Sequence, residues 1–165
     1  MPKPVTVSVD VPHDRARVFD FLDVMANHEP FNDHLMRDWE LSGPERGVGS
    51  KARVRTQALG ISDVVDIEVV DAEVPSRIVE RNTAARAGRT GQGTYTLESL
   101  PDGGTRISFE YRWIVTPMID RLTAPLARAY IRRNNATAMR RLAAQLAGQL
   151  AALPAERDRA SDIGR

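Results

Sequence analysis

Residues 105–153 read TRISFEYRWIVTPMIDRLTAPLARAYIRRNNATAMRRLAAQLAGQLAAL, and the change of texture at Pro117 decides the fold. Before it, Ile107, Phe109, Tyr111, Trp113 and Val115 alternate with Ser108, Glu110, Arg112 and Ile114. Period two over this length predicts a strand with one apolar, ring-rich face. After it, residues 118–153 are dense in alanine and hold one glycine, Gly148. Pro125 suits the first turn of a long helix, where its missing N–H would have no intrahelical partner anyway. At about 100° per residue, Ala124, Arg128, Ile131, Asn135, Met139, Leu142, Leu146 and Leu153 fall within about 60° of one line. The chain passes from an aromatic-faced strand into one long amphipathic helix.

Upstream, the same period recurs. Pro101-Asp102-Gly103-Gly104 is a hairpin signal, preceded by expected strands at 77–83 and 93–99 around a glycine-rich link (Gly88, Gly91, Gly93). Residues 61–73 predict a long strand, closed by Pro75-Ser76. Residues 49–58 alternate Lys51, Arg53 and Arg55 with Ala52, Val54 and Thr56, and Gly60 breaks the run. Another strand starts at Trp39 and Leu41 and ends in the turn Gly43-Pro44-Glu45-Arg46-Gly47. At the N-terminus, Val5, Val7, Val9 and Val11 alternate with polar residues. Pro12-His13-Asp14 then opens a helix through about Leu22, with Asp14 as N-cap and Val18, Phe19 and Leu22 as its apolar face. A second short helical piece at Val24–Asn27 is interrupted by Pro30. Strands joined by short turns pair antiparallel. Strands segregated from helices give an α+β class: a seven-stranded antiparallel sheet, two short helices after strand 1, and a long C-terminal helix across the sheet.

The 165 residues suit one domain, 1–153, followed by a charged, aperiodic tail at 154–165 expected to be disordered. The net charge of +1 removes the simplest argument for nucleic-acid binding. The absence of cysteine excludes disulfides, cysteine zinc sites and thiol catalysis. No stretch reads as a signal or a membrane span, so the expectation is a soluble cytoplasmic protein.

Five stretches in order resemble the SRPBCC superfamily, the START-like fold of the birch-pollen-allergen type. They are Val9-Asp10-Val11-Pro12 with Val18-Phe19 and Leu22-Asp23; His28-Glu29-Pro30-Phe31-Asn32-Asp33; Gly47-Val48-Gly49; Pro75-Ser76-Arg77-Ile78-Val79; and Gly103-Gly104-Thr105-Arg106-Ile107. The terminal helix with Asn135, Met139, Arg140, Arg141 and Leu142 completes the pattern, and the nearest branch looks like the polyketide cyclase/dehydrase-like group. The resemblance implies a helix-grip fold, in which the curved sheet wraps the terminal helix around a deep, mostly apolar cavity. Relatives include aromatase/cyclases and carriers of lipids, sterols, plant hormones or quinones. The cyclases place a cavity arginine near the position of Val70, but nothing from Ile61 to Val74 is basic here.

On this reading the ligand-binding candidates are Phe31, Trp39, Tyr95, Phe109, Tyr111 and Trp113 from the sheet side, and Arg128, Ile131, Asn135 and Met139 from the helix. Ordinary core packing is the plain alternative for the rings; the polar atoms of Tyr and Trp favour a pocket. Arg128 lies in the apolar stripe, where a buried guanidinium needs a partner, so its replacement by alanine is expected to weaken ligand binding more than folding. The catalytic candidates are His34 as a base, Tyr111 and Arg128, none belonging to a recognisable catalytic set. His28 and His34, with Glu29 and Asp33 between them, do not form a metal-ligand spacing, and no cofactor motif is present. Asp66 with Glu68, and Lys51 with Arg53 and Arg55, read as outward sheet faces.

Arg121, Arg128, Arg132, Arg133, Arg140 and Arg141 lie in a stretch without acids. It reads either as a solvated face or as a surface for an acyl carrier protein or other acidic partner. Three functions follow: a carrier of a hydrophobic small molecule, which is favoured; an aromatase/cyclase-dehydratase-like enzyme; and an interaction domain with a filled interior. A cavity of ~300 Å³ or more with at least two convergent polar groups would support the first two.

Overall fold

The computed structural model describes residues 2–58 and 61–151. The expected tail at 154–165, Leu153 of the helical stripe and the break at Gly60 lie outside the described residues. The chain runs β1 (Val5–Val11), α1 (Arg15–Leu22), a 3-10 turn (Met25–His28), α2 (Glu29–Asn32), β2 (Met36–Ser42), β3 (Lys51–Ala58), β4 (Ile61–Glu73), β5 (Arg77–Ala84), β6 (Arg89–Ser99), β7 (Thr105–Val115), α3 (Met118–Leu122) and α4 (Ala124–Ala151). The seven strands form one antiparallel curved sheet in the order β1-β7-β6-β5-β4-β3-β2. Only the β1 to β2 step leaves the meander, and α1, the 3-10 turn and α2 bridge it.

Local chemistry explains the ends. Asp14 caps α1 by accepting from the Arg17 N–H at 3.1 Å. Pro30 falls in the first turn of α2 and opens that helix instead of ending the one before it. Thr105 at the start of β7 is fully buried and donates its hydroxyl to the His13 carbonyl at 2.7 Å, tying the sheet to the entry of α1.

The C-terminal half of α4 carries the core. Leu142 and Leu146 are fully buried, together with Met139 and Ala138, against Phe19, Leu22, Phe31 and the inner face of the sheet. Each such leucine contributes about 1.5–3 kcal/mol of apolar burial. On the sheet, Ala52 and Val54, Ile67 and Val69, Ile78, Leu97 and Ile107 point inward, and the alternate residues point out. Lys51, Arg53 and Arg55 do lie outside, facing Glu68, Asp66 and Asp38. That also fixes the orientation of β4: Asp66 and Glu68 outward, Val65 and Ile67 inward.

One boundary differs from the sequence reading. The segment 88–93 is not a glycine-rich link, because β6 begins at Arg89 and pairs through it with Ala84. A Cβ on Gly91 would collide with the Tyr111 ring, and one on Gly93 would lie 2.9 Å from the Phe109 ring. These glycines are therefore strand residues stripped of side chain because rings from β7 lie across them. The segment after Pro117, whose form the sequence leaves open, is a separate short helix, α3, and α4 begins at Ala124 beside the expected Pro125.

Candidate functional site

A cavity of about 180 Å³ lies between the inner face of the sheet and the N-terminal half of α4. It begins where the packed core ends. Ile131, Asn135, Ala138 and Met139 face it from the helix, and Val65, Ile67 and Ala84 from the sheet. It is smaller than the ~300 Å³ anticipated for a drug-sized ligand. Two of the rings that line it, Phe109 and Tyr111 of β7, lie over Gly93 and Gly91 of the neighbouring strand.

Met36 and Trp39 both line the cavity although three residues apart on β2, a spacing that sends regular strand neighbours to opposite faces. A bulge between Arg37 and Glu40, with Asp38 at φ 54°, restores the match. The Trp39 indole N–H then donates to the Met36 carbonyl at 3.3 Å.

The polar centre of the cavity is a pair that the sequence reading did not join. His28, at the end of the 3-10 turn, is 3% exposed, and Glu80, in the middle of β5, is 4% exposed. Imidazole Nε2 donates to the Leu22 carbonyl at 2.7 Å, which turns Nδ1 toward Glu80 Oε1 at 3.2 Å. The contact is a buried ion pair, and Oε1 accepts no other hydrogen bond among the described residues. Burial alone would push the His28 pKa down. The contact with Glu80, its charge, the Leu22 carbonyl and Asp23 together outweigh burial, and the pKa lies above the ordinary imidazole value. Tyr95 closes the floor, its ring edge-on to His28 at 5.7 Å and 4.6 Å from Phe109. Burial, reinforced by the Glu80 charge, pushes the Tyr95 phenol well above 10, so it keeps its proton. Asn82 of β5, Asn134 and Tyr130 of α4, and Arg89 at the start of β6 complete the polar lining.

Of the sequence-predicted residues, Trp39, Tyr95, Phe109, Tyr111, Ile131, Asn135 and Met139 converge on this cavity. Phe31 is fully buried in the core beneath it, with its ring 5.3 Å from His28. Trp113 is buried farther along β7, edge-on to Tyr111 at 5.2 Å. Arg128 does not reach the cavity: its Nε donates to the Lys3 carbonyl at 3.1 Å, so it fastens the N-terminus to α4. His34 also lies outside the lining, with Nε2 donating to the Asn134 carbonyl at 3.2 Å. Burial and the nearby Arg141 charge hold it below the ordinary imidazole value.

The sequence reading missed His28, Glu80, Asn82 and Arg89. The signal for two of them was present: Glu80 and Asn82 share the face of the buried Ile78 on a period-two strand. Arg89 supplies a basic side chain in the cavity, from β6 and not from β4. A wider depression of about 560 Å³ on the outer sheet face is lined by charged residues and crossed by the Arg53–Asp66 pair at 2.8 and 3.2 Å. It is a solvated surface. The remaining helix arginines, Arg121, Arg132, Arg133, Arg140 and Arg141, are exposed, and Arg141 pairs with Asp33 of the α2 end. Among the described residues no cluster of three or more His, Asp or Glu is placed to hold a metal ion, and no helix is long and apolar enough to cross a membrane.

A curved sheet gripping a long helix over a largely apolar cavity is the helix-grip, START-like fold. The chain belongs to the family described as polyketide cyclase/dehydrase and lipid transport, whose model matches residues 3–147. No curated protein sequence matches it. Among solved structures it is similar to the ZhuI aromatase/cyclase from Streptomyces sp. R1128, with TM-score 0.72 and 13% identity over 91% of this chain and 96% of that one. It is also similar to the protein TTHA0849 from Thermus thermophilus, with TM-score 0.68 and 16% identity over 89% and 99%. DynU16, a protein of the dynemicin biosynthetic locus, gives TM-score 0.62 and 22% identity over 88% of this chain and 48% of that one. At these identities the likeness is one of fold.

Proposed function

We propose that the protein binds a hydrophobic small molecule, of the lipid, quinone or aromatic polyketide class, in the cavity between the curved sheet and α4. The observation that carries this reading is a cavity walled by Trp39, Tyr95, Phe109 and Ile131, with the polar groups of Glu80, Asn82 and Asn135 converging inside it. Its volume of about 180 Å³ favours a ring or a quinone head over a sterol or an extended acyl chain. Apolar burial supplies affinity at ~25 cal/mol per Å² before association costs, and the polar groups fix orientation. The working location is the cytoplasm. Native mass spectrometry of protein purified from its own host should find a bound molecule. No co-purified molecule, together with no thermal shift across lipids, quinones and aromatic polyketides, would overturn the reading.

A second reading, an aromatase/cyclase-dehydratase-like enzyme, gains from Arg89 and the His28–Glu80 pair on the same cavity. An arginine there stabilises a developing enolate, and a carboxylate–imidazole pair moves protons. The exposed Arg132, Arg133 and Arg140 would then receive an acyl carrier protein. Turnover of a carrier-bound poly-β-ketone, absent in Glu80→Gln, is the result that would favour this reading over the first.

A further inference from the structure

We infer that the cavity selects a neutral aromatic ring bearing a hydroxyl, whose O–H donates to the Glu80 carboxylate, and that it rejects carboxylates of the same size. This rests on the binding reading above and names the ligand chemistry of that site.

The argument starts from polarity. A carboxylate only accepts hydrogen bonds, and Glu80 Oε1, buried on the cavity, has the ion-pair contact with His28 Nδ1 at 3.2 Å and no further hydrogen bond among the described residues, so it keeps acceptor capacity. Two more buried atoms on the same cavity lack hydrogen-bond partners: Asn82 Oδ1, two residues along the same face of β5, and Asn135 Nδ2, on the facing helix. An amide can turn to present its other atom. The carboxylate cannot, so it fixes the sign of the interaction, and the ligand must donate there.

Charge narrows the choice. His28 and Glu80 already compensate each other. A charged ligand of either sign would upset that balance, a cation standing against His28 and an anion against Glu80. A neutral donor disturbs neither. His28 itself is committed, with Nε2 on the Leu22 carbonyl and Nδ1 on Glu80, so the ligand meets the carboxylate and not the imidazole.

Shape adds the ring. Tyr95 and Phe109 form a tilted pair with centroids 4.6 Å apart, and Trp39 closes the side toward β2. A cavity of ~150 Å³ already holds benzene, so about 180 Å³ admits one ring with short substituents. A hydroxyl at one end reaches β5, and an acceptor at the other reaches the Asn135 amide.

The test uses three probes of one size: 4-hydroxyacetophenone, 4-methoxyacetophenone and 4-acetylbenzoate. Titration calorimetry gives the affinities, and shifts of the Asn82 and Asn135 side-chain ¹⁵N resonances localise binding. The hydroxyl compound should bind about 10- to 100-fold more tightly than its methyl ether, and the carboxylate more weakly than either. Glu80→Gln keeps an acceptor and loses the charge, so it should retain the hydroxyl preference and admit 4-acetylbenzoate. His28→Leu/Glu80→Leu removes both buried charges together and should erase the preference. Equal affinity for hydroxyl and methoxy probes in the wild-type protein, or a preference surviving in the double variant, overturns this inference while the binding reading stands. Binding of none of the three overturns the inference, and the binding reading is then decided by the co-purification and thermal-shift results named above.

Discussion

Removing both members of the His28–Glu80 pair should cost far less stability than removing Glu80's partner alone. The side chains are 3% and 6% exposed, and Nδ1 lies 3.2 Å from Oε1. At an effective dielectric constant of about 20 their gross attraction is about 5 kcal/mol, and desolvation of the two ions costs several kcal/mol each. The two terms nearly cancel, so the pair has little net worth, yet each member is dangerous alone. His28→Leu leaves a carboxylate uncompensated in the interior and should cost about 3–5 kcal/mol, a drop in Tm of roughly 6–20 °C. Glu80→Leu should cost less, about 1–3 kcal/mol, because His28 can shed its proton. The double variant should lie within about 1–2 kcal/mol of wild type, giving a coupling of at least about 2 kcal/mol. Urea denaturation of the four proteins measures the cycle. A double variant that loses the sum of the two single costs would refute the argument.

The same pair sets a pH dependence. His28 faces Glu80, Tyr95 and Asp23, and its folded pKa lies above the unfolded value near 6.5. The folded state holds the proton more tightly, so this contribution is complete below about pH 6.5 and is lost as pH climbs through the folded pKa. The wild-type protein should therefore lose stability relative to the double variant as pH rises from about 6.5; denaturant midpoints that run parallel would contradict it. Arg128→Ala should leave ligand affinity unchanged, since the side chain holds the Lys3 carbonyl outside the cavity; weakened binding in calorimetry would return Arg128 to the site. Gly93→Ala should cost about 1–3 kcal/mol, because the new Cβ lies 2.9 Å from the Phe109 ring; an unmoved Phe109 ring in NMR spectra at unchanged Tm would contradict the packing described. Leu146→Ala should cost about 2–5 kcal/mol with cavity binding preserved, as the residue is fully buried at the core end of α4. Thermal melts with a bound probe separate the two effects.

What the sequence disclosed follows from periodicity. The strand alternation around Phe109 and Tyr111 and the stripe through Ile131, Asn135 and Met139 place those side chains on the facing surfaces that border the cavity. A single element's period suffices for that. Pairing across elements is another matter. Glu80 reads as one more acid among those of β4 and β5 until the fold brings the 3-10 turn over it and sets His28 at 3.2 Å. Arg128 falls in the apolar stripe by angle, but it stands near the start of α4, where the stripe meets the Lys3 backbone and not the cavity. Trp113 shares the face of Tyr111 and still misses the cavity, because a face says nothing about how far along a strand the cavity extends. Gly91 and Gly93 mislead for a local reason: glycine usually marks a turn, and here it marks a ring from the next strand.

That last arrangement separates the size of the binding space from the architecture that encloses it. Backbone hydrogen bonding between β6 and β7 is indifferent to which strand bears the bulk and which bears none. Trimming Tyr111 would lengthen the chamber, and thickening Gly91 while thinning Tyr111 would move the same volume across the ladder. A paired exchange at these two neighbouring strands would thus change the girth of the space, with the curvature of the sheet and the seat of the helix left as they are.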